Sequence, residues 1–439
     1  MRPLLILLII SPIFSWALKE NIWKWTEQVQ GFLSNPYRKS RVPQFILDTQ
    51  HPWIIENQKR LEQLPNVESY LCFSPQGVMS DGNRISSVAA NGFEIPPDLF
   101  DHLKIDNTGF VNRPGWLNAL MRAQEINRCP AALSQVKAFR THVYVYDSEY
   151  SDKAMKMLEL SHPPRELLDL FVDVLGNMTN LESLEWRIPP PYVHYFEERF
   201  VDSRLVLPSV RTLETSGRSH FLVPMCSGIT KLDYAGRQTW ESYGGIMEDP
   251  EPLLLRATMF APNLTQLGIT ARSKGWWKSG VQELVSYMPG LKSLSLRGEL
   301  RSEYRYSNYG NYGDSDGSTL RETLQILGSL QNLTQLDLPA AYELDLNWDG
   351  GPDCGNAYFG PGGRDYERQV YREELETVEK AASIVVEVLP HLADFSIDGR
   401  QANLTRYENG TVRASFPWTG RLDEWVMEVL PGGPDGPDW

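Results

Sequence analysis

Residues 288–296 read Met288-Pro289-Gly290-Leu291-Lys292-Ser293-Leu294-Ser295-Leu296. A turn carrying Pro and Gly leads into a six-residue unit with leucines at positions 1, 4 and 6. The last two leucines flank polar Ser295, which is the period of a strand with one buried face. The first seats the turn into that strand. The form recurs at Leu333/Leu336/Leu338 after Gln331-Asn332 and at Leu264/Leu267/Ile269 after Pro262-Asn263. It recurs again at Leu181/Leu184/Trp186 after Met178-Thr179-Asn180. Weaker copies are Val210/Leu213/Thr215, Ile229/Leu232/Tyr234, Leu392/Phe395/Ile397, Val136/Phe139/Thr141 and Val67/Tyr70/Cys72.

Upstream of a unit lies a helical pattern, as in Leu320-Arg321-Glu322-Thr323-Leu324-Gln325-Ile326-Leu327, apolar near i, i+4 and i+7. One helix and one strand cannot bury each other completely, whereas a stack of such units can. The expected fold is therefore α/β, a parallel sheet with helices on one side. These units resemble leucine-rich repeats over residues 60–400, most closely over 175–340. They are most similar to the irregular repeats of fungal F-box-like proteins. The resemblance implies a leucine-rich-repeat solenoid with a curved sheet and outer helices. At the N-terminus there is no LPxEL-like opening to a three-helix F-box. Residues 18–65 instead carry Trp23 and Trp25 and a helix-like stretch from Trp53 to Leu64, expected to form an N-terminal cap. The separation of successive units varies from 19 to 69 residues, against roughly 20–29 for regular repeats. The intervals from 67 to 136 and from 136 to 181 are expected to hide further units, within a solenoid spanning 66–398.

This architecture accommodates the length. A single compact core rarely exceeds about 250–300 residues, and the chain has 439. The formal charge is −14, from 42 basic and 56 acidic side chains. An acidic surface repels phosphate backbones, so no nucleic-acid partner is expected. Cys72, Cys129, Cys226 and Cys354 are far apart and form no CxxC pair. One or two disulfides, or separate buried thiols, remain open.

Residues 1–17 read as a signal peptide: Arg2, an apolar run from Leu4 to Phe14, then Ser15-Trp16-Ala17. The run is too short to span a bilayer. A secreted mature chain without a stable membrane anchor is the expectation, with a charge of −15 once Arg2 is removed. Five Asn-X-Thr sequons agree with that route, at Asn177, Asn263, Asn332, Asn403 and Asn409.

Two long insertions follow strands directly. Residues 299–319 contain Tyr304, Tyr306, Tyr309 and Tyr312, and residues 339–372 contain Trp348. Shorter post-strand loops carry Trp240 and Tyr243, Trp276 and Trp277, and Pro189-Pro190-Pro191-Tyr192. Loops on a rigid scaffold carry recognition. Tyr and Trp give large contact area at low entropic cost. Trp240, Tyr243, Trp276, Trp277, Tyr304, Tyr306, Tyr309, Tyr312 and Trp348 are therefore the candidate binding residues, for a protein, peptide or glycan. Packing of these rings onto the repeat edge is the alternative.

Asp345-Leu346-Asn347-Trp348-Asp349-Gly350 matches the first six positions of a calcium loop. Asn356 stands where a bidentate Glu is needed, and Pro352 interrupts the loop. An acidic turn is expected there, with no metal and no cofactor. No HExxH, P-loop or dinucleotide motif occurs, and the seven histidines are scattered. The reading is a secreted recognition protein without catalysis. An F-box-like ubiquitin-ligase adaptor lacking a recognisable F-box and an extracellular hydrolase are the alternatives. At the C-terminus, Asn409-Gly410 between alternating segments predicts a hairpin that covers the last strand, part of a cap over 399–430; a tight I′ turn there would make Asn409 a poorer glycan acceptor. Residues 431–439 read as a flexible tail.

Overall fold

The computed structural model describes residues 101–106, 115–127, 133–143, 162–216, 218–234, 251–271, 275–301, 317–348, 350–352 and 355–434. The signal peptide, the N-terminal cap and the unit at Val67 lie outside these residues.

Nine parallel strands follow in chain order: β1 (His102–Asp106), β2 (Ala138–His142), β3 (Ser183–Arg187), β4 (Thr212–Thr215), β5 (Lys231–Tyr234), β6 (Gln266–Thr270), β7 (Ser293–Arg297), β8 (Gln335–Leu338) and β9 (Asp394–Ile397). Each pairs with its sequence neighbours, and a short antiparallel β10 (Arg400–Gln401) closes the far end. From β2 to β9, every strand begins two residues after a unit start read from the sequence. The position-4 residues stand opposite one another along the whole sheet: Phe139, Leu184, Leu213, Leu232, Leu267, Leu294, Leu336 and Phe395. All are buried, as are the position-6 residues from Thr141 to Ile397. Emptying one such leucine site to Ala costs about 2–5 kcal/mol.

β1 belongs to one of the hidden units. Phe100, Leu103 and Ile105 carry the 1-4-6 spacing, and Leu103 pairs with Phe139. The second expected hidden unit is absent from the ladder. β2 and β3 pair directly, Ala138 with Ser183, so the interval from 136 to 181 inserts no strand between them.

Two further regularities make the stack cooperative. The position-2 carbonyl of each unit accepts two N–H groups from the next. Thr265 O receives Lys292 N–H and Ser293 N–H at 2.8 and 3.0 Å, and Lys292 O receives Thr334 N–H and Gln335 N–H. The position-1 N–H bonds the carbonyl three residues earlier, as in Leu291 to Met288 and Leu333 to Leu330. That earlier residue is apolar and buried in every unit from β2 on: Leu133, Met178, Leu207, Cys226, Ala261, Met288, Leu330 and Leu389. Cys226 is thus a small hydrophobe at a repeat position, a free thiol that burial pushes up to about 12.

Helices α1 (Gly115–Asn127), α2 (Arg165–Asn177), α3 (Val193–Asp202), α4 (Leu222–Met225), α5 (Glu251–Ala257), α6 (Lys278–Tyr287), α7 (Ser318–Leu327) and α8 (Gly363–Val388) lie between strands. In α7 the buried set is Leu320, Thr323, Leu324 and Leu327, one face of a 3.6-residue period. Beneath β2 to β5 the core is aromatic. Trp186 packs edge-on against Phe171, Phe196 and Phe200 at 5.2–5.5 Å between centroids.

The C-terminal cap differs from the sequence expectation in one respect: the last strand, β9, is covered by β10 and not by the Asn409 hairpin, which forms a separate two-stranded sheet. The tight I′ turn is at Asp398-Gly399, where both residues have positive φ (53° and 71°), and it folds β10 back onto the exposed edge of β9. Asn409-Gly410 does form a hairpin, between β11 (Asn403–Arg406) and β12 (Val412–Ser415). Its loop is three residues long, Glu408-Asn409-Gly410. Only Gly410 has positive φ, because a type I turn followed by a bulge needs one left-handed residue where I′ needs two. The hairpin packs on α8, as does α9 (Leu422–Val429).

The 339–372 insertion is shorter than expected, because α8 begins at Gly363. The described part of the tail, residues 431–434, is docked. Pro434 O accepts N–H groups from Arg364 and Asp365, while Arg368 donates to Leu430 O and Gly432 O at 3.0 and 2.6 Å.

Candidate binding edge and sheet face

Parallel strands end at one common edge, so the loops after β6, β7 and β8 leave side by side. Main-chain hydrogen bonds staple them together. Trp276 N–H donates to Glu299 O at 2.7 Å, Arg301 N–H to Trp276 O at 2.9 Å, and Leu300 N–H to Glu343 O at 2.7 Å. Trp276 and Leu300 form a parallel bridge beyond the main sheet. The result is a rigid rim from which residues 302–316 depart.

This rim corrects the reading of Trp276 as a contact residue. Its side chain is 4% exposed, and its indole N–H donates to Arg297 O at 2.9 Å. The ring is a wedge holding the edge together. Trp277, next to it, is half-buried at the start of α6. Trp348 is half-buried, packed on the core and tilted against Tyr342 with centroids 6.4 Å apart. Tyr342 is exposed on the same insertion and is not among the candidates read from the sequence, although it stands six residues before Trp348. Trp240, Tyr243, Tyr304, Tyr306, Tyr309 and Tyr312 lie outside the described residues. Asp345 is engaged locally: its Oδ2 accepts the Thr319 hydroxyl at 2.8 Å, tying the acidic turn to α7. Among the described residues, no group of three or more His, Cys, Asp or Glu is placed to hold a metal ion.

The open face of the sheet carries a second, polar feature. Positions 5 and 7 form cross-strand charge ladders. Glu185 lies 3.1 Å from Arg140 and 2.9 Å from Arg187, which also reaches Glu214 on the next strand. Burial, and then the nearby Glu214 charge, push the Glu185 carboxyl up. On β2, burial holds the His142 pKa below its ordinary value, against the pull of Asp106. Further along, Arg297 on β7 crosses over β6 to Asp233 on β5 at 2.7 Å. It crosses at Gly268. A Cβ there would sit 2.5 Å from the Arg297 Nη2 and 3.0 Å from the Asp233 Oδ2. Asp337 accepts the hydroxyls of Ser295 and Ser396. These charges are paired with one another across the face.

The sheet, its register and its one-sided helices define an α/β solenoid of the leucine-rich-repeat type. No family model matches the chain, and no curated protein matches it. Among solved structures it is similar to the leucine-rich repeat-containing protein LegL7 from Legionella pneumophila. The two are 13% identical over 79% of this chain and 97% of that one, with a TM-score of 0.35.

Among the described residues, no helix is long and apolar enough to cross a membrane.

Proposed function

We propose that this chain is a secreted, glycosylated recognition protein that captures a protein, peptide or glycan and performs no catalysis itself. The ligand is contacted at the edge where the strands end. The observation that carries this reading is the stapled rim of Trp276, Leu300 and Glu343. Main-chain bonds hold the roots of adjacent loops in fixed register, so the aromatic insertions start from a preorganised base, which lowers the ordering cost of binding. The neighbouring sheet face supports the same reading. Its acids and arginines are matched internally, leaving a polar, wettable floor beside the rim. The signal-peptide pattern and the five sequons support the secreted route. The sequons stand on exposed residues at Asn177, Asn263, Asn332, Asn403 and Asn409.

Secretion is tested by expressing the intact chain in a eukaryotic host and probing medium and lysate. The expected product is extracellular and shrinks on glycosidase treatment. Purely cytosolic, unmodified protein contradicts the proposal and returns the adaptor alternative.

A further inference from the structure

We propose that Asn409 is a glycosylation site with its own sugar platform, the first N-acetylglucosamine lying against the ring of Tyr407; this rests on the secreted reading above. The platform is built by the hairpin loop. Gly410 N–H donates to Tyr407 O, and Tyr407 N–H donates to Thr411 O, both at 2.9 Å. Tyr407 and Thr411 are therefore opposed across the ladder, and opposed residues project from the same face. Asn409 sits between them at the tip. Its Oδ1 accepts the Thr411 N–H at 3.0 Å. That bond fixes the amide plane and leaves Nδ2, the atom that carries a glycan, as the other end of the carboxamide.

Tyr407 is 48% exposed on a loop otherwise made of Glu, Asn, Gly and Thr. A large ring in that setting offers an apolar face to any partner. The C–H face of a pyranose attached two residues away is a partner of matching shape and polarity. At a second sequon, exposed apolar side chains also stand nearby, in a different kind of turn. Phe260 and Met259, both 58% exposed, precede Asn263 in the same helix-to-strand turn. The other three sequons have no such aromatic. Asn177 instead directs its Nδ2 to Asp173 O at 2.8 Å, and residues 329–331 before Asn332 are Ser, Leu and Gln.

The test uses the intact chain secreted from a glycosylating host. Glycopeptide mass spectrometry reads occupancy at each sequon. Melting temperature is then compared with and without glycan, for the unmodified sequence and for Tyr407→Ala. The expected result is an occupied Asn409 and a glycan-dependent rise in Tm, larger by about 1–3 °C with Tyr407 present than without it. The extra rise should survive trimming to a single N-acetylglucosamine. Should Tyr407→Ala misfold, NMR of labelled sugar on the unmodified chain gives the same answer. Ring-current shifts on the first sugar at Asn409 are expected, and their absence overturns the proposal. It is also overturned by a bare Asn409 in a chain glycosylated elsewhere, or by equal rises in the two chains. A chain with no glycan at any sequon contradicts the secreted reading as well, which separates the two failures.

Discussion

Cys226 illustrates how a single residue is decided by its place in the repeat. As one of four scattered cysteines it suggested disulfides or buried thiols. In the fold it fills the apolar site occupied by Met178, Leu207 and Met288 in other units. Cys226→Ser is expected to cost about 1–3 kcal/mol, because a hydroxyl buried there loses its water. Urea unfolding measures this, and a change under 0.5 kcal/mol (roughly the scatter of neutral substitutions) contradicts the assignment. His142 makes a pH prediction. Its folded pKa is held below the unfolded value of 6.5, so proton uptake favours the unfolded chain. The stability is present above that value and is lost as pH falls through the folded pKa. Urea midpoints at about pH 7.5 and pH 5 should diverge less for His142→Gln than for the natural sequence. Gly268 holds space for Arg297. In a Gly268→Val background the Arg297–Asp233 coupling, about 0.2–1 kcal/mol for a surface pair, is expected to vanish from a double-mutant cycle.

Among the elements, α8 and the C-terminal strap are the clearest dependence. The helix has 26 residues, and its buried stripe runs from Leu375 to Val385 beside α7. Its first turns are held instead by Pro434 O and by the Arg368 fork on residues 430–432. Arg368→Ala should release the strap. Hydrogen exchange at the Arg364 and Asp365 amides is then expected to quicken several-fold while the strands stay protected. The strands were legible in the sequence because 1-4-6 spacing is imposed by a sheet with one buried face. β1 obeys the same rule, with Phe100, Leu103 and Ile105 after the turn residues Pro96-Pro97-Asp98, so its unit too is written in the sequence. The cover over β9 is placed elsewhere than the Asn409-Gly410 signal suggests: Asp398-Gly399, with two positive φ angles, folds β10 onto it, and Asn409-Gly410 serves the separate β11–β12 hairpin. Both dipeptides favour such turns, and strand pairing decides between them. Trp276 was misread for a related reason: composition distinguishes an aromatic loop from a polar one, but not a wedge from a contact.

At the scale of the whole molecule, the sheet extends along one axis, so the described residues share one elongated core that grows unit by unit. The core varies along that axis, aromatic beneath β2 to β5 and leucine-rich beneath β6 to β8. The edge where strands end is stapled and bears the insertions; Asn263 and Asn332 stand in the turns at the opposite edge. The central claim is that the insertion edge captures the ligand. It is tested most directly by replacing residues 302–316 with a short Gly-Ser linker, which preserves Arg301 and Gly317 at the roots of the rim. Intact and trimmed chains, matched in melting temperature, are each used to capture partners from the native extracellular fluid. The account predicts that the intact chain retains a defined partner and the trimmed chain loses it. Equal capture by both chains would contradict it.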